Sequence, residues 1–225
     1  MSIRFENIRV FNFENAIRGM RNAKKSWHKS DSRWTSFKES EYASSVAIPD
    51  FNRYGEVYEL GEADLELAKS LVAAGTDHRK FLRQIFVSMD IYAPSYWWRQ
   101  YATYKVGTTE NSTSQMHTIT EREYTKNDFS EISKKDLNKI NNLVRLYQRT
   151  KGLTRRKEIK QKLIEKMPPT YIYQRTVSSN YEVLRNQYTS RRFHFLDEWK
   201  EYCNMLEYFP YSVLLTLNRA GGVND

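Results

Sequence analysis

The sequence predicts an α+β fold with a helix-rich C-terminal half, on three observations. Two stretches in the first half, residues 3–10 and 85–92, set apolar side chains at alternate positions, the period of a half-buried strand. Residues 62–75 and most of the chain beyond residue 134 set them at helical spacing. Glycine (8) and proline (5) are scarce among 225 residues, which favours helices over tight hairpins. Strands gathered early and helices late are the α+β pattern rather than strict alternation. Apolar residues at 40% and aromatics at 14% supply a sizeable core and argue against disorder.

The elements follow in order. SIRFENIRVF alternates Ile3 and Phe5, then Ile8 and Val10, so the phase shifts near Asn7 as in a bulged strand. Asn12 or Asn15 is placed to cap a short helix through NAIRGMRNA. Residues 24–56, polar and aromatic without a period, read as a long loop. EADLELAKSLVAAG carries Leu65, Leu67, Ala68, Leu71 and Val72 on one helical face and ends at Gly75. HRKFLRQ reads as a short helix, and IFVSMDIY as a strand with Ile85, Val87, Met89 and Ile91 on one side. Pro94 opens a helix through SYWWRQYATYK that ends by Gly107, with Trp97 and Trp98 as core. Residues 118–135 are charged and loop-rich. They begin an excursion whose helical part, 134–166, packs through Leu137, Ile140, Leu143, Val144 and Tyr147, then Ile159, Leu163 and Ile164. Pro168 and Pro169 break the chain before a long helix from about Thr170 to Arg192. FLDEWKEYCNML and PYSVLLTL read as two further helices, and RAGGVND as a fraying tail. Nothing forces a domain boundary, so residues 1–225 are expected to form one domain.

Several chemistries have no support. No run of about 18 apolar residues exists to span a membrane. The start, MSIRFENIRVF, lacks the apolar core of a signal peptide. The lone cysteine, Cys203, cannot form an internal disulfide, which fits a reducing cytoplasm, and on an amphipathic helix it reads as a core residue. No Gly-rich phosphate loop appears, and His28, His78, His117 and His194 have no metal-ligand spacing. The net charge of +9 points to an anionic partner, whether a nucleotide or a polynucleotide, or to simple solubility.

The polar segment after the tryptophans carries more information. Arg99 and Gln100 precede a triplet, Thr103-Tyr104-Lys105; Glu110 and Asn111 follow; Thr113 comes eight positions after Lys105 and Gln115 two further on. A second segment, NYEVLRNQYTSRRFHF, sets out Asn180, Leu184, Asn186, Arg191 and His194, with Trp199 beyond. Together these resemble the flavin-dependent thymidylate synthases of the ThyX type. In that family an Arg-Gln pair precedes an Arg-His-Arg triplet, followed by Asn-Glu, a Ser and an Arg. A C-terminal helix there carries Asn, Leu, Asn, Arg and His at nearly the spacing seen here, His194 being offset by about one. Upstream, LAKSLVAAG, TDHRKFL, IFVSMDIY and APSYWWRQ follow in the family's order of helix, turn and strand before the Arg-Gln helix. This chain departs from the pattern at the triplet, at the reversed Glu110-Asn111 pair, at Thr113 for Ser and at Gln115 for Arg. Thr76 and Leu82 stand where the family has histidines. At the triplet, Lys105 supplies a point charge but no bidentate fork.

The resemblance implies a thymidylate-synthase-complementing-like domain with a central antiparallel sheet flanked by helices, assembled as a homotetramer. It implies FAD as cofactor, with NADPH and methylenetetrahydrofolate as co-substrates and dUMP or a related pyrimidine nucleotide as substrate. Carried over residue by residue, Arg191 and Thr113 take catalytic positions. Arg99, Gln100, Thr113, Gln115 and Arg191 take the nucleotide, while Tyr104, Lys105, Asn111, Asn180, Asn186 and His194 take the flavin. Each has a plainer reading. Arg191 beside Arg192 can be a solvated helix end, Tyr104 a core ring, and the asparagines ordinary helix positions. Two alternatives stand beside the enzyme: a homologue that keeps nucleotide binding with altered or lost chemistry, and a basic nucleic-acid-binding protein. The third rests on the charge and on TRRKEIKQKLIEK, whose lysines are interrupted by Glu158 and Glu165 as in ordinary helix pairs.

Overall fold

The computed structural model describes residues 2–39, 47–49, 51–52 and 54–217. The expected fraying tail, 219–225, lies outside them, as does part of the 24–56 stretch. In chain order the elements are β1 (Arg4–Phe11), α1 (Phe13–Met20), β2 (Arg33–Ser36), β3 (Ile48–Pro49), β4 (Glu56–Glu59), α2 (Glu62–Ala73), β5 (Phe86–Pro94), α3 (Ser95–Tyr101), β6 (Thr109–Ser112), α4 (Gln115–Thr118), α5 (Lys134–Arg149), α6 (Leu153–Lys166), β7 (Ile172–Asn180), α7 (Tyr181–Arg191), α8 (Asp197–Leu206) and α9 (Val213–Thr216). Short 3-10 turns join several of them. The fold is α+β: β1, β5, β7 and β6 form an antiparallel sheet flanked by helices. The two-residue β3 lies parallel along β1, with Arg9 opposite Ile48 and Val10 opposite Pro49. Packing divides the described chain into two compact units. Unit 1 takes in residues 2–5, 90–103 and 110–176, and unit 2 residues 6–89, 104–109 and 177–217.

Local sequence explains most elements. Asn7 holds a positive φ of 53°, and the buried set moves from Ile3 to Ile8 and Val10 across it, as the phase shift predicts. Strand β5 buries Val87, Met89, Ile91 and Ala93 and turns Phe86 outward. Asn12 takes the first capping position of α1, yet its side chain does not cap; its Nδ2 donates to the Gln84 carbonyl at 2.9 Å. Gly75, at φ 109°, ends the segment after α2 as expected.

The 24–56 stretch is more ordered than a loop reading suggests. Strand β2 pairs with β4 in an antiparallel ladder that sets Trp34 against Tyr58. Asp31 accepts from the backbone amides of Ala63 and Asp64 at 2.8 and 3.1 Å, capping α2 from thirty residues away. Asp64, fully buried, receives Arg21 Nε at 2.5 Å and the hydroxyls of Ser30 and Ser32 at 2.5 and 2.6 Å. Burial alone would raise its pKa, but those hydroxyls and the guanidinium outweigh burial and lower it.

The expected long helix over residues 170–192 is corrected. Residues 172–180 are strand β7, and the helix begins only at Tyr181. Ile172, Tyr173, Thr176 and Val177 suit a pleated, half-buried surface. Asn180 is the hinge: its backbone is extended, and its Oδ1 accepts from the Val183 amide at 3.1 Å, the N-cap bond of α7. Val177 is therefore a strand residue, buried on one face of β7. The Pro94 helix also stops at Tyr101, short of Lys105, and the last helix is the four-residue α9.

Each unit has its own aromatic core. In unit 1, Trp97, Trp98 and Tyr101 are buried, with Trp97 stacked on Tyr101 at 5.0 Å and edge-on to Trp98 at 5.0 Å. The α5–α6 pair closes a second cluster of Ile119, Tyr124, Phe129, Ile140, Val144 and Leu163, so the 134–166 excursion is a packed hairpin. In unit 2, Phe13 meets Tyr181 and Tyr211 edge-on at 5.6 and 5.3 Å. Arg185, buried on α7, donates to the carbonyls of Leu214 and Leu215 at 3.3 and 3.1 Å and fastens α9. Cys203 is buried, and burial, with Glu207 adding, pushes its thiol up to about 12. A thiol in that state is no nucleophile at neutral pH.

Candidate functional site

Unit 1 presents an open groove of about 470 Å³ where α3, β6, the start of α4 and β7 converge. Among the described residues, its cations are Arg99 and Arg175, and no carboxylate lines it. Arg99 is exposed, with no ion pair among the described residues. Arg175 lies over the Trp98 ring at 4.5 Å, and its Nη1 donates to Glu110. Thr113 is exposed at the rim; its amide and hydroxyl both point at the Gln174 carbonyl, at 3.0 and 3.3 Å. The hydroxyl proton is thus spent on the strand, leaving oxygen lone pairs for a ligand. Gln115 Oε1 accepts from Tyr173 OH at 3.0 Å, so its amide nitrogen is turned to donate elsewhere. Burial raises the Tyr173 pKa, which keeps the phenol a proton donor. Gln100 closes α3 beside Arg99, and Asn111 is exposed on β6.

Unit 2 gathers a different set. Arg191, at the end of α7, lies over Trp199 at 4.9 Å and over Tyr104 at 5.6 Å, and its Nε donates to Tyr104 OH at 2.9 Å. Trp199 is fully buried and meets Tyr104 at 6.1 Å and His194 at 6.4 Å. The guanidinium is held by neutral rings, with no carboxylate paired to it among the described residues. His194 Nδ1 accepts from the Leu196 amide at 3.1 Å, which leaves the ring proton on Nε2. Burial, and then the Arg191 charge, lower the His194 pKa, so the imidazole is neutral at pH 7. Phe193 and Phe195 on either side of it are 85% and 78% exposed, and Asn186 is exposed on the outer face of α7.

Asn180 spends its amide oxygen on the helix cap and keeps its nitrogen. A Cβ on Gly107, which holds φ +76°, would meet that nitrogen and a Val183 methyl at 3.0 Å. Position 107 therefore admits little but glycine. Lys105, just before it, is exposed. Between Asn180 and Arg191, α7 turns other side chains into the core. Leu184 and Gln187 are fully buried, and Gln187 Oε1 takes the Tyr202 hydroxyl at 2.5 Å.

The residues assigned to the nucleotide thus fall in unit 1, apart from Arg191. Those assigned to the flavin fall in unit 2, apart from Asn111. Sequence reading missed Arg175, Trp98 and Tyr173 as groove residues. Arg175 gave no signal of its own, because the stretch that holds it reads as part of a helix. The basic helix α6 shows no comparable cluster: Arg155 pairs with Glu158 at 2.7 Å, and Arg156 lies over Tyr147 at 4.4 Å.

No protein-family model matches the sequence, and no curated protein matches it. Among solved structures, the chain is similar to thymidylate synthase X (ThyX) from Helicobacter pylori crystallised with FAD and dUMP. The TM-score is 0.62 at 14% identity, over 95% of each chain. A second structure, described as flavin-dependent thymidylate synthase ThyX from the same organism complexed with FAD and dUMP, gives 0.62 at 15% identity, over 95% of this chain and 96% of that one. The chain has the ThyX fold. At this identity the likeness is one of fold, and it spans the chain nearly end to end.

Proposed function

We propose that the chain is a flavin-dependent thymidylate synthase-like protein that binds dUMP or a close pyrimidine nucleotide and methylates its ring reductively. The observation that supports this most is the unit 1 groove, lined among the described residues by two arginines, several hydroxyls and no carboxylate, in a chain whose fold matches ThyX along its length. Such a lining suits a phosphate monoester joined to a polar ring. In this reading Arg99, Thr113 and Gln115 hold the nucleotide. Arg191, which has no carboxylate partner among the described residues, favours negative charge on the pyrimidine carbonyls.

The residues of unit 2 also fit a flavin. The neutral His194 offers an Nε2–H donor, Asn180 and Asn186 offer amide groups, Lys105 offers a cation, and Phe193 and Phe195 expose ring faces. FAD bound there would supply the hydride, with NADPH reducing it and methylenetetrahydrofolate giving the one-carbon unit. The protein's part is to bind, orient and polarise. As part of the same proposal, the chain acts in the cytoplasm as a homotetramer of one-domain subunits, with residues 134–166 an excursion of that domain.

A second reading, nucleotide binding without flavin chemistry, is favoured by one observation. The Thr113 hydroxyl proton is committed to Gln174, and Lys105 replaces a fixed guanidinium. One assay separates the two. The purified chain is given FAD, NADPH, methylenetetrahydrofolate and dUMP, and dTMP is measured. Formation of dTMP that requires all four supports the enzyme. A rise in melting temperature with dUMP and no dTMP supports the second reading, and neither effect sinks both.

A further inference from the structure

We propose that Arg175 is the residue that recognises the ligand's phosphate in the unit 1 groove; the inference rests on nucleotide binding there. Neither the charge pattern nor the spacing of the polar segment singles Arg175 out. The structure does so through three features. Its guanidinium borders the cavity and lies over Trp98 at 4.5 Å, a ring that is buried and cannot yield. The Nη1 end is tied to Glu110, so the side chain is fixed before any ligand arrives. Its Nε is buried and makes no hydrogen bond among the described residues.

A buried N–H left unmade is a cost to folding. With Nη1 on Glu110 and Nε buried, Nη2 is the end of the guanidinium left to donate to a phosphate oxygen. Glu110 takes the opposite end and stays outside the cavity lining. Its carboxylate therefore positions the guanidinium without competing for the ligand. Arg99, also lining the groove and without an ion pair among the described residues, adds charge but no fixed geometry. Arg175 is accordingly a specificity residue. It distinguishes a nucleoside monophosphate from the nucleoside, while ring recognition falls to other side chains.

Isothermal titration of the full-length protein tests this with two probes, dUMP and deoxyuridine. Wild type should bind dUMP at least about tenfold more tightly than deoxyuridine, the value of one good charge-assisted pair. Arg175→Gln should weaken dUMP about 10- to 30-fold and leave deoxyuridine within about twofold. Arg175→Lys keeps a positive charge but not the planar guanidinium stacked on Trp98 and tied to Glu110, and should recover only part of the loss. Melting curves of both variants show whether they fold, and Lys serves as the test if Gln does not. If wild type binds dUMP and both folded variants bind it equally well, Arg175 has no phosphate role although nucleotide binding stands. If dUMP and deoxyuridine weaken together, the residue is structural and the proposal fails. If wild type binds neither probe, nucleotide binding itself is wrong and the inference falls with it.

Discussion

Arg175 in unit 1 and Arg191 in unit 2 both lie over a buried tryptophan, at 4.5 and 4.9 Å, yet they are held in opposite ways. Arg175 is tied by a carboxylate, Glu110, and stands at the edge of an open groove. Arg191 is tied by a phenol, Tyr104, and packed among its own unit's rings. The first has a charge partly neutralised and a position fixed. The second keeps its full charge, and it lowers the pKa of His194 nearby. A carboxylate partner holds an arginine in place, whereas neutral partners make it a source of field. These roles suit phosphate recognition and ring polarisation respectively.

Substitutions should separate the two arginines. Arg191→Ala removes an uncompensated charge and should have the largest effect, about 3 kcal/mol or about 100-fold in the Kd for dUMP by calorimetry. Unchanged nucleotide binding would rule out the role carried to Arg191. Arg175→Gln should cost less than Arg191→Ala, because Glu110 already offsets part of its charge. A reversed order would break the comparison. Tyr104→Phe deletes only the hydroxyl that receives Arg191 Nε, and should weaken dUMP by up to about tenfold while the ring still packs on Trp199.

Two smaller effects concern the helix that carries Arg191. Asn180→Ala removes the α7 N-cap and should destabilise by about 1 kcal/mol, a loss of about 2–4 °C in Tm by calorimetric scan. No loss would mean that the cap bond does not hold this helix start. The His194 effect should be the smallest, and its sign is fixed. With its folded pKa lowered, His194 is neutral in the native state while the unfolded chain takes up a proton near pH 6.5. Its contribution is present above pH 6.5 and is lost as pH falls from there through the folded pKa. Arg191→Gln removes one cause of the shift and should make Tm less dependent on pH across that window.

How much of this could be read in the sequence depended on burial. Strand β5 was legible because one face is buried at every second residue, and α5 and α6 because Ile140, Val144, Ile159 and Leu163 close a core. Trp97 and Trp98 were legible as core for the same reason. Strand β6 was not: it ends the sheet order, and Thr109–Ser112 buries none of its side chains, so no alternation marks it. Strand β7 was concealed differently. Its polar residues Gln174, Arg175 and Ser178 interrupt the apolar pattern, and it runs directly into α7, so the two merged into one apparent helix. The extended backbone and cap at Asn180, a residue whose side chain favours that position, were the missing boundary.

The site was legible as residue types and not as bonds. Spacing brought Arg99, Thr113, Gln115, Arg191 and His194 forward. It could not show that Thr113 gives its proton to Gln174, that Tyr104 takes up the Arg191 guanidinium, or that Arg175 faces the groove. Those facts depend on which strand lies beside which, a non-local property.

The most direct test of the account is to purify the full chain, saturate it with FAD, remove unbound flavin, and record its visible spectrum and melting temperature with and without dUMP and NADPH. The account predicts retained flavin, a higher melting temperature with dUMP, and bleaching of the flavin band by NADPH. A colourless protein whose melting temperature dUMP leaves unchanged would contradict it.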